Sequence, residues 1–266
     1  MKRLASSLAL VKVRADRESF VETYNEGLGK LEEEYAKMLK DPAPERVHDA
    51  RTATRRAQAY MALLPKDLRR AGSARDLGKR YRDVMEATAA VRDKDVLAQK
   101  LSGSRTAKAD LIGKVEKERT KAAKKACAAV SRAQRLQPPA VGKRDVPAKA
   151  LQRRFEKVTG RLAEKVDELV PEVLASPHDI KRLHKLRIDL KKLRYLVEAV
   201  TEEGAAVLSR LERLQDVLGE VHDLDNIMAY VAREDPGFTG LSGWAAQRQR
   251  EFGRFRRSVN GKGAGC

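Results

Sequence analysis

Leu183-His184-Lys185-Leu186-Arg187-Ile188-Asp189-Leu190-Lys191-Lys192-Leu193-Arg194 and Val47-His48-Asp49-Ala50-Arg51-Thr52-Ala53-Thr54-Arg55-Arg56-Ala57-Gln58 are two copies of one motif, H-x-x-R-x-x-x-[RK]-[RK], in a chain of 266 residues. Self-similarity of this kind reads as an internal duplication. Each copy also specifies its own conformation. A helix advances about 100° per residue, so Arg187, Lys191 and Arg194 fall within about 80° of His184 on the wheel. Leu183, Leu186, Leu190, Leu193 and Val197 make an apolar seam one residue earlier. In the first copy Val47, Ala50, Thr54, Ala57 and Met61 make the seam, and His48, Arg51 and Arg55 lie beside it. Charges serving solubility alone would lie opposite the seam. Cations along the edge of a core predict a groove between helices that takes an anion.

A second motif follows each copy. The first reads Tyr81-Arg82-Asp83-Val84-Met85-Glu86-Ala87-Thr88-Ala89-Ala90-Val91-Arg92-Asp93-Lys94-Asp95-Val96-Leu97, the second Leu211-Glu212-Arg213-Leu214-Gln215-Asp216-Val217-Leu218-Gly219-Glu220-Val221-His222-Asp223-Leu224-Asp225-Asn226-Ile227. Each is an amphipathic helix running into x-D-x-D and an aliphatic stretch. Asp93 and Asp223 read as caps of a following short helix with Asp95 and Asp225 in its first turn, or as partners of the preceding motif's cations. A catalytic carboxylate pair is a third reading, disfavoured because the two acids lie so close together in sequence beside an evident capping role.

The two H-x-x-R-x-x-x-[RK]-[RK] helices, the two D-x-D segments and their order resemble the conserved histidine α-helical domain, or CHAD, family over roughly residues 15 to 235. The resemblance implies an all-α fold of two pseudo-symmetric helical bundles around a central basic groove, and binding of inorganic polyphosphate. By position, His48, Arg51, Arg55 and Arg56 match the family motif in the first half, and His184, Arg187, Lys191, Lys192 and Arg194 in the second. Asp93, Asp95, Asp223 and Asp225 stand as supporting carboxylates. Gln58 occupies the position matching Arg194, which predicts a weaker or asymmetric first half-site.

Composition agrees. Lys plus Arg number 56 against 38 Asp plus Glu, a formal net charge of +18 that attracts polyanions: nucleic acid, anionic membranes or polyphosphate. Aromatic residues are only 5 %, which opposes base stacking and so single-strand readers. No zinc-finger spacing, Walker A loop or G-x-G-x-x-G occurs. Four histidines without metal-ligand spacing leave no metal site, and no cofactor is implied. Cys127 and Cys266 are too few for a disulfide framework and point to a reducing, cytoplasmic setting. Leu4 to Val11 reads as a tail or first helical segment, not a signal peptide, and no stretch is long enough to span a membrane.

Along the chain nearly everything reads helical. Phe20, Tyr24, Leu28, Leu31, Tyr35 and Met38 share one face before Asp41-Pro42-Ala43-Pro44. The first motif helix runs to about 64–65, and a D-x-D helix pair ends near 103. A long helix covers about 104–136 with the thin seam Leu111, Val115, Ala122, Ala126, Ala129, Ala133 and Leu136. Residues 104–149 hold 13 Lys or Arg against 4 Asp or Glu, so half of the net charge sits there; exposed cations such as Lys124 and Lys125 are expected to act through the long-range field. Pro138-Pro139 and Val141-Gly142 mark a boundary, giving an N-terminal half of 1–145 and a C-terminal half of 146–266. The second half repeats the order: a helix over about 147–170, the motif helix over about 177–200 and the D-x-D pair. Trp244 and Phe255 anchor a closing helix, and Gly261 to Cys266 reads as a frayed tail.

Polyphosphate suits this chemistry: it is flexible, highly charged and has no base to read, so a track of cations suffices. Arg offers planar bidentate contacts to phosphate oxygens and Lys adaptable point contacts. For His48 and His184 two roles stand, donation to phosphate with pH-sensitive binding or an orienting hydrogen bond at the helix start. Phosphoryl-transfer chemistry needs a metal-binding carboxylate set, a nucleotide loop or an activated nucleophile. The E-x-E-x-K signature of triphosphate-tunnel enzymes is approached by Glu116-Lys117-Glu118-Arg119-Thr120, which lacks the lysine. The expectation is therefore a non-catalytic polyphosphate binder, cytoplasmic and associated with polyphosphate granules or a protein partner there. A nucleic-acid-binding basic helical protein is the alternative.

Overall fold

The computed structural model describes residues 13–104, 109–201 and 205–260. The expected apolar rhythm is the packing rule along the first helix and the two motif helices, whereas the long basic helix buries Ala123 and Val130 and leaves the expected Ala122 and Leu136 half-buried. Along α1 (Arg17–Lys40), Phe20, Tyr24, Leu28, Leu31, Tyr35 and Met38 are all buried, and Asp16 starts the helix by accepting from the Glu18 and Ser19 amides. The two motif helices follow their seams: α2 (Pro44–Leu63) buries Val47, Ala50, Thr54, Ala57 and Met61, and α7 (Ile180–Glu198) buries Leu183, Leu186, Leu190, Leu193 and Val197. A one-turn helix α3 (Lys66–Arg70) leads into α4 (Gly72–Ser102); α5 (Ala109–Gln134), α6 (Ala148–Ala175), α8 (Ala205–Glu234) and α9 (Leu241–Val259) complete an all-helical chain with no strand among the described residues. Residues 1–12 and 261–266, which hold the expected N-terminal segment and C-terminal tail, lie outside those described.

Three expectations change. The D-x-D segments do not start new helices: Asp93 and Asp95 lie inside α4, Asp223 and Asp225 inside α8, so none of them caps. Nothing breaks the helix there, because Val96, Leu97 and Leu101, and likewise Leu224, Ile227 and Val231, continue the apolar period and are buried. The helix expected to end at Val170 continues to Ala175 with Pro171 inside it. Burial of Leu169, Val170 and Val173 around the proline outweighs the backbone bond it removes. The second motif helix starts at Ile180, where Asp179 accepts from the Arg182 amide.

The chain is wired alike on its two sides. α1 packs on α2, α2 on α4 and α4 on α5; α6 packs on α7, α7 on α8 and α8 on α9. The sides meet where α2 packs on α7 and α4 on α8. The main core runs continuously from Val13 to Val259 across the 135–147 connection. A smaller cluster joins Val96, Leu97 and Leu101 of α4 to Ile227, Tyr230 and Val231 of α8, with Phe238 stacked on Trp244 beside it and ring centroids 5.0 Å apart. Phe255 of α9 is fully buried in the main core. These two cores hold the four central helices in fixed mutual positions.

At Gly27 the α1 backbone meets Tyr60 of α2 so closely that a Cβ would sit 2.3 Å from the Tyr60 ring. Gly27→Ala is expected to lower unfolding free energy by about 1–3 kcal/mol in chemical denaturation, the usual cost of overpacking, and pairing it with Tyr60→Leu should return part of that loss.

Candidate functional site

Where α2 and α7 pack together, with α4 and α8 alongside, the motif cations face one another. Arg51, Arg55, Arg187 and Lys191 each feel the charge of the others, together with Arg92, His48, His184 and His222. Asp93 and Asp223 are the carboxylates that act on Arg51, Arg187 and Lys191, and Asp49 acts on His48. The helix wheel explains the convergence: both cation stripes border the seams by which α2 and α7 enter the core, so packing the seams brings the stripes face to face.

Withdrawal from solvent is the first cause lowering the pKa of Lys191, and repulsion from Arg187, Arg55 and Arg51 adds to it, bringing the ammonium down to about 7. Arg51, Arg55 and Arg187 are lowered for the same first reason; guanidinium groups stay protonated nonetheless, so the effect is charge crowding rather than titration. His48 and His184 are lowered by desolvation and neighbouring cations, and His222 to about 3 by desolvation, Arg187 and His184. Asp93 and Asp223 are raised by loss of solvent, which the surrounding cations oppose.

The individual contacts separate the candidates. Arg51 is braced, donating to the Met85 carbonyl at 2.9 Å and the Thr88 hydroxyl at 2.8 Å on α4. On the other side Gln215 joins α8 to α7 by donating to the Leu190 carbonyl at 3.1 Å. Arg187 has no such brace; its Nε is buried without a hydrogen-bond partner, as is Nδ1 of His184. The His184 ring lies 4.8 Å from that of His222, whose Nε2 is 3.1 Å from the Asn226 amide nitrogen. Arg194 contacts the Tyr195 hydroxyl at 3.2 Å and pairs with Glu198 and Glu212. Its charge is thus largely compensated.

Two candidates turn away. Arg56 pairs with Glu198 at 3.6 Å beside a separate cleft lined by Lys30, Asp49 and Tyr60. Lys192 is exposed and pairs with Asp189 at 3.3 Å. Each follows a groove cation by one residue, a rotation of about 100°, which carries it out of the groove. Two residues of the cluster, Arg92 and His222, are absent from the candidates chosen on sequence. The signal was present: they occupy the same position in the two D-x-D motifs, immediately before Asp93 and Asp223.

The carboxylates divide within each D-x-D. Asp93 and Asp223 face the cations. Asp95 and Asp225 face the opposite way, toward arginines of the following helices rather than toward the preceding motif. Arg248 of α9 donates to Asp225 Oδ1 at 2.8 Å and to Oδ2 at 3.3 Å, and to the Pro177 carbonyl just ahead of α7 at 2.5 Å. Arg119 of α5 donates to Asp95 Oδ1 at 2.5 Å and to the Pro42 carbonyl just ahead of α2 at 2.7 Å. In both halves an arginine clasps the entry of a histidine helix to a D-x-D helix. The Arg248 clasp is the deeper one, with side chains only 4 % and 7 % exposed.

A family model for the CHAD domain matches residues 23–231, and the chain belongs to that family. Among solved structures it is similar to the CHAD domain from the plant Ricinus communis, with a TM-score of 0.61 and 17 % identity over 93 % of this chain and 92 % of that one. It is also similar to PptA from Streptomyces chartreusis, with a TM-score of 0.61 and 15 % identity over 92 % and 98 %. These identities establish the shared helical fold. No curated protein matches the chain.

Removing one partner of a buried ion pair leaves an uncompensated charge and costs about 3–5 kcal/mol. Arg248→Ala is therefore expected to destabilise the protein by that amount in urea unfolding, whereas the double change Arg248→Met with Asp225→Leu should cost clearly less.

Proposed function

We infer that the protein binds inorganic polyphosphate in the groove between α2 and α7 and does not turn it over. The observation that carries this reading is the crowding of Arg51, Arg55, Arg187 and Lys191 around Asp93 and Asp223, with Arg187 Nε and His184 Nδ1 left without partners. Such a cluster is unfavourable to itself and complementary to a ligand bringing several negative charges at short intervals. The charge-assisted hydrogen bonds it offers are stronger than neutral ones because solvent is partly excluded. Arg187, Lys191, His184 and His222 are the groups proposed to touch phosphate oxygens, with Arg55 and Arg51 beside them; Arg51, braced against α4, also orients the groove. Asp93 and Asp223 keep the unliganded cations from forcing the helices apart.

The non-catalytic reading is supported by what the groove offers. It has cations and imidazoles but no acid set for magnesium, and no group of three or more His, Cys, Asp or Glu side chains placed to hold a metal occurs among the described residues. Among those residues no helix is long and apolar enough to cross a membrane. A cytoplasmic setting, with the protein held on polyphosphate granules, accords with this reading.

The test is titration calorimetry with a polyphosphate chain short enough to lie within the groove, set against orthophosphate and RNA. The wild-type protein is expected to prefer polyphosphate to both. Each charge-assisted contact is worth about 1.5–3 kcal/mol, so Arg187→Ala with Lys191→Ala should weaken binding at least about tenfold while circular dichroism is unchanged. Stronger binding of RNA than of polyphosphate would favour the nucleic-acid reading instead.

The pH response follows from Lys191. Its ammonium is lowered to about 7 in the free groove, and bound phosphate favours the charged form, so its pKa rises on binding. The Lys191 contribution to affinity is therefore complete below about 7 and declines as pH climbs from there toward the bound value. Lys191→Arg, which cannot deprotonate in this range, should flatten the decline above pH 7 in the same titration.

A further inference from the structure

The groove leaves the most basic part of the chain unused. On α5, Lys117, Lys121, Lys124, Lys125 and Arg132 are all exposed, and at about 100° per residue they share an arc of about 100° opposite the buried seam of Leu111, Val115, Ala126, Ala129 and Ala133. Arg135 continues the line just beyond the helix. At 1.5 Å per residue the arc runs for about 23 Å. None of these cations has an ion-pair partner among the described residues. The other two cations of α5 do: Lys114 pairs with Glu234, and Arg119 with Asp95.

Position alone would make this an ordinary solvated face. Its single sign does not. Exposed helices usually intersperse both charges, and like charges spaced i,i+4, such as Lys117 with Lys121 and Lys121 with Lys125, are mildly destabilising. Between Lys117 and Arg132 no carboxylate enters the arc: Glu118 is turned to Lys94, Glu116 lies off the arc, and Asp110, on the same side of the wheel, stands about two turns before it. The neighbouring helix α6 is the contrast, because Glu156, Glu164 and Glu168 stand among its exposed Arg153, Lys157, Arg161 and Lys165.

We propose that the outer face of α5 is a second polyanion track, engaging the phosphates of polyphosphate chains too long for the groove to hold. The inference rests on the groove reading and extends it. The groove sets affinity for a short segment, and the track adds affinity that depends on chain length. The ligand must be flexible and uniformly charged, because the lysines offer point contacts and the arc carries no aromatic side chain for stacking a base.

The experiment compares short and long polyphosphate on the full chain at one salt concentration. Three proteins are used: wild type; a track variant with Lys121→Glu, Lys124→Glu, Lys125→Glu and Arg132→Glu; and a charge-matched control with Arg153→Glu, Lys157→Glu, Arg161→Glu and Lys165→Glu on α6. Wild type should bind long chains more than about tenfold more tightly per chain than short ones, the gain expected of two linked contacts. The track variant should lose that gain, and any loss it suffers on short chains should not exceed the control's. The control should shift both affinities equally and keep their ratio. A track variant that retains the long-chain gain, or a control that loses it too, overturns the proposal. So does a track variant that loses binding to RNA while its polyphosphate affinities stand. Failure of wild type to bind the short chain would instead overturn the groove reading, which is scored on that arm alone.

Discussion

Mutual repulsion among Arg51, Arg55, Arg187 and Lys191 is the constraint to which the rest of the structure answers. Left to themselves, four cations withdrawn together from water would separate or attract counter-charge. They stay together because the helices that carry them are held by unrelated interactions: the buried seams of α2 and α7, and the smaller core that ties the ends of α4 and α8. The cost is visible in the depressed pKa of Lys191, lowered first by withdrawal from water and further by the neighbouring cations. A cation under such pressure is one that an added negative charge relieves. In this reading the core supplies the energy that keeps the site ready, so little reorganisation accompanies binding.

The two clasps show how that readiness is built. Arg119 and Arg248 each join a carboxylate inside a long helix to a backbone carbonyl two or three residues ahead of a histidine helix. The second acid of each D-x-D is thereby spent on architecture, and the first, two residues away, falls on the opposite face and meets the cations. One short motif thus serves both the scaffold and the groove. Arg248 lies on α9, beyond the residues that match the family model, so the closing helix is part of what positions His184 and Arg187 and is more than a cover for the core.

The halves are alike in wiring and unlike in detail. Gln58 in place of a late cation pointed to a weaker first half, but the contacts put the asymmetry elsewhere as well. Arg51 is braced by two hydrogen bonds, while Arg187 keeps a buried nitrogen without a partner. Arg194, the extra cation of the second half, is largely neutralised by Glu198 and Glu212. The groove's unspent bonding capacity lies on the α7–α8 side, around Arg187, His184 and His222.

Much of this was legible in the sequence, because a helix converts spacing into direction without outside help. The seams of α1, α2 and α7, the pairing of each motif seam with a cation stripe and the helical reading of the chain needed only the advance of about 100° per residue; the CHAD resemblance rested on the two repeated motifs and their order. That same rule, applied one residue further, places Arg56 and Lys192 outside the groove. What sequence could not decide were the facts that depend on a second helix. Whether Asp95 and Asp225 would lie in a helix's first turn, pair or catalyse turned on Arg119 and Arg248 arriving from α5 and α9, more than twenty residues away. That Arg92 and His222 join the site depended on α4 and α8 passing beside α2 and α7. Local periodicity determined which face each helix would bury; only the packing of those faces determined which charges would be forced to share one space.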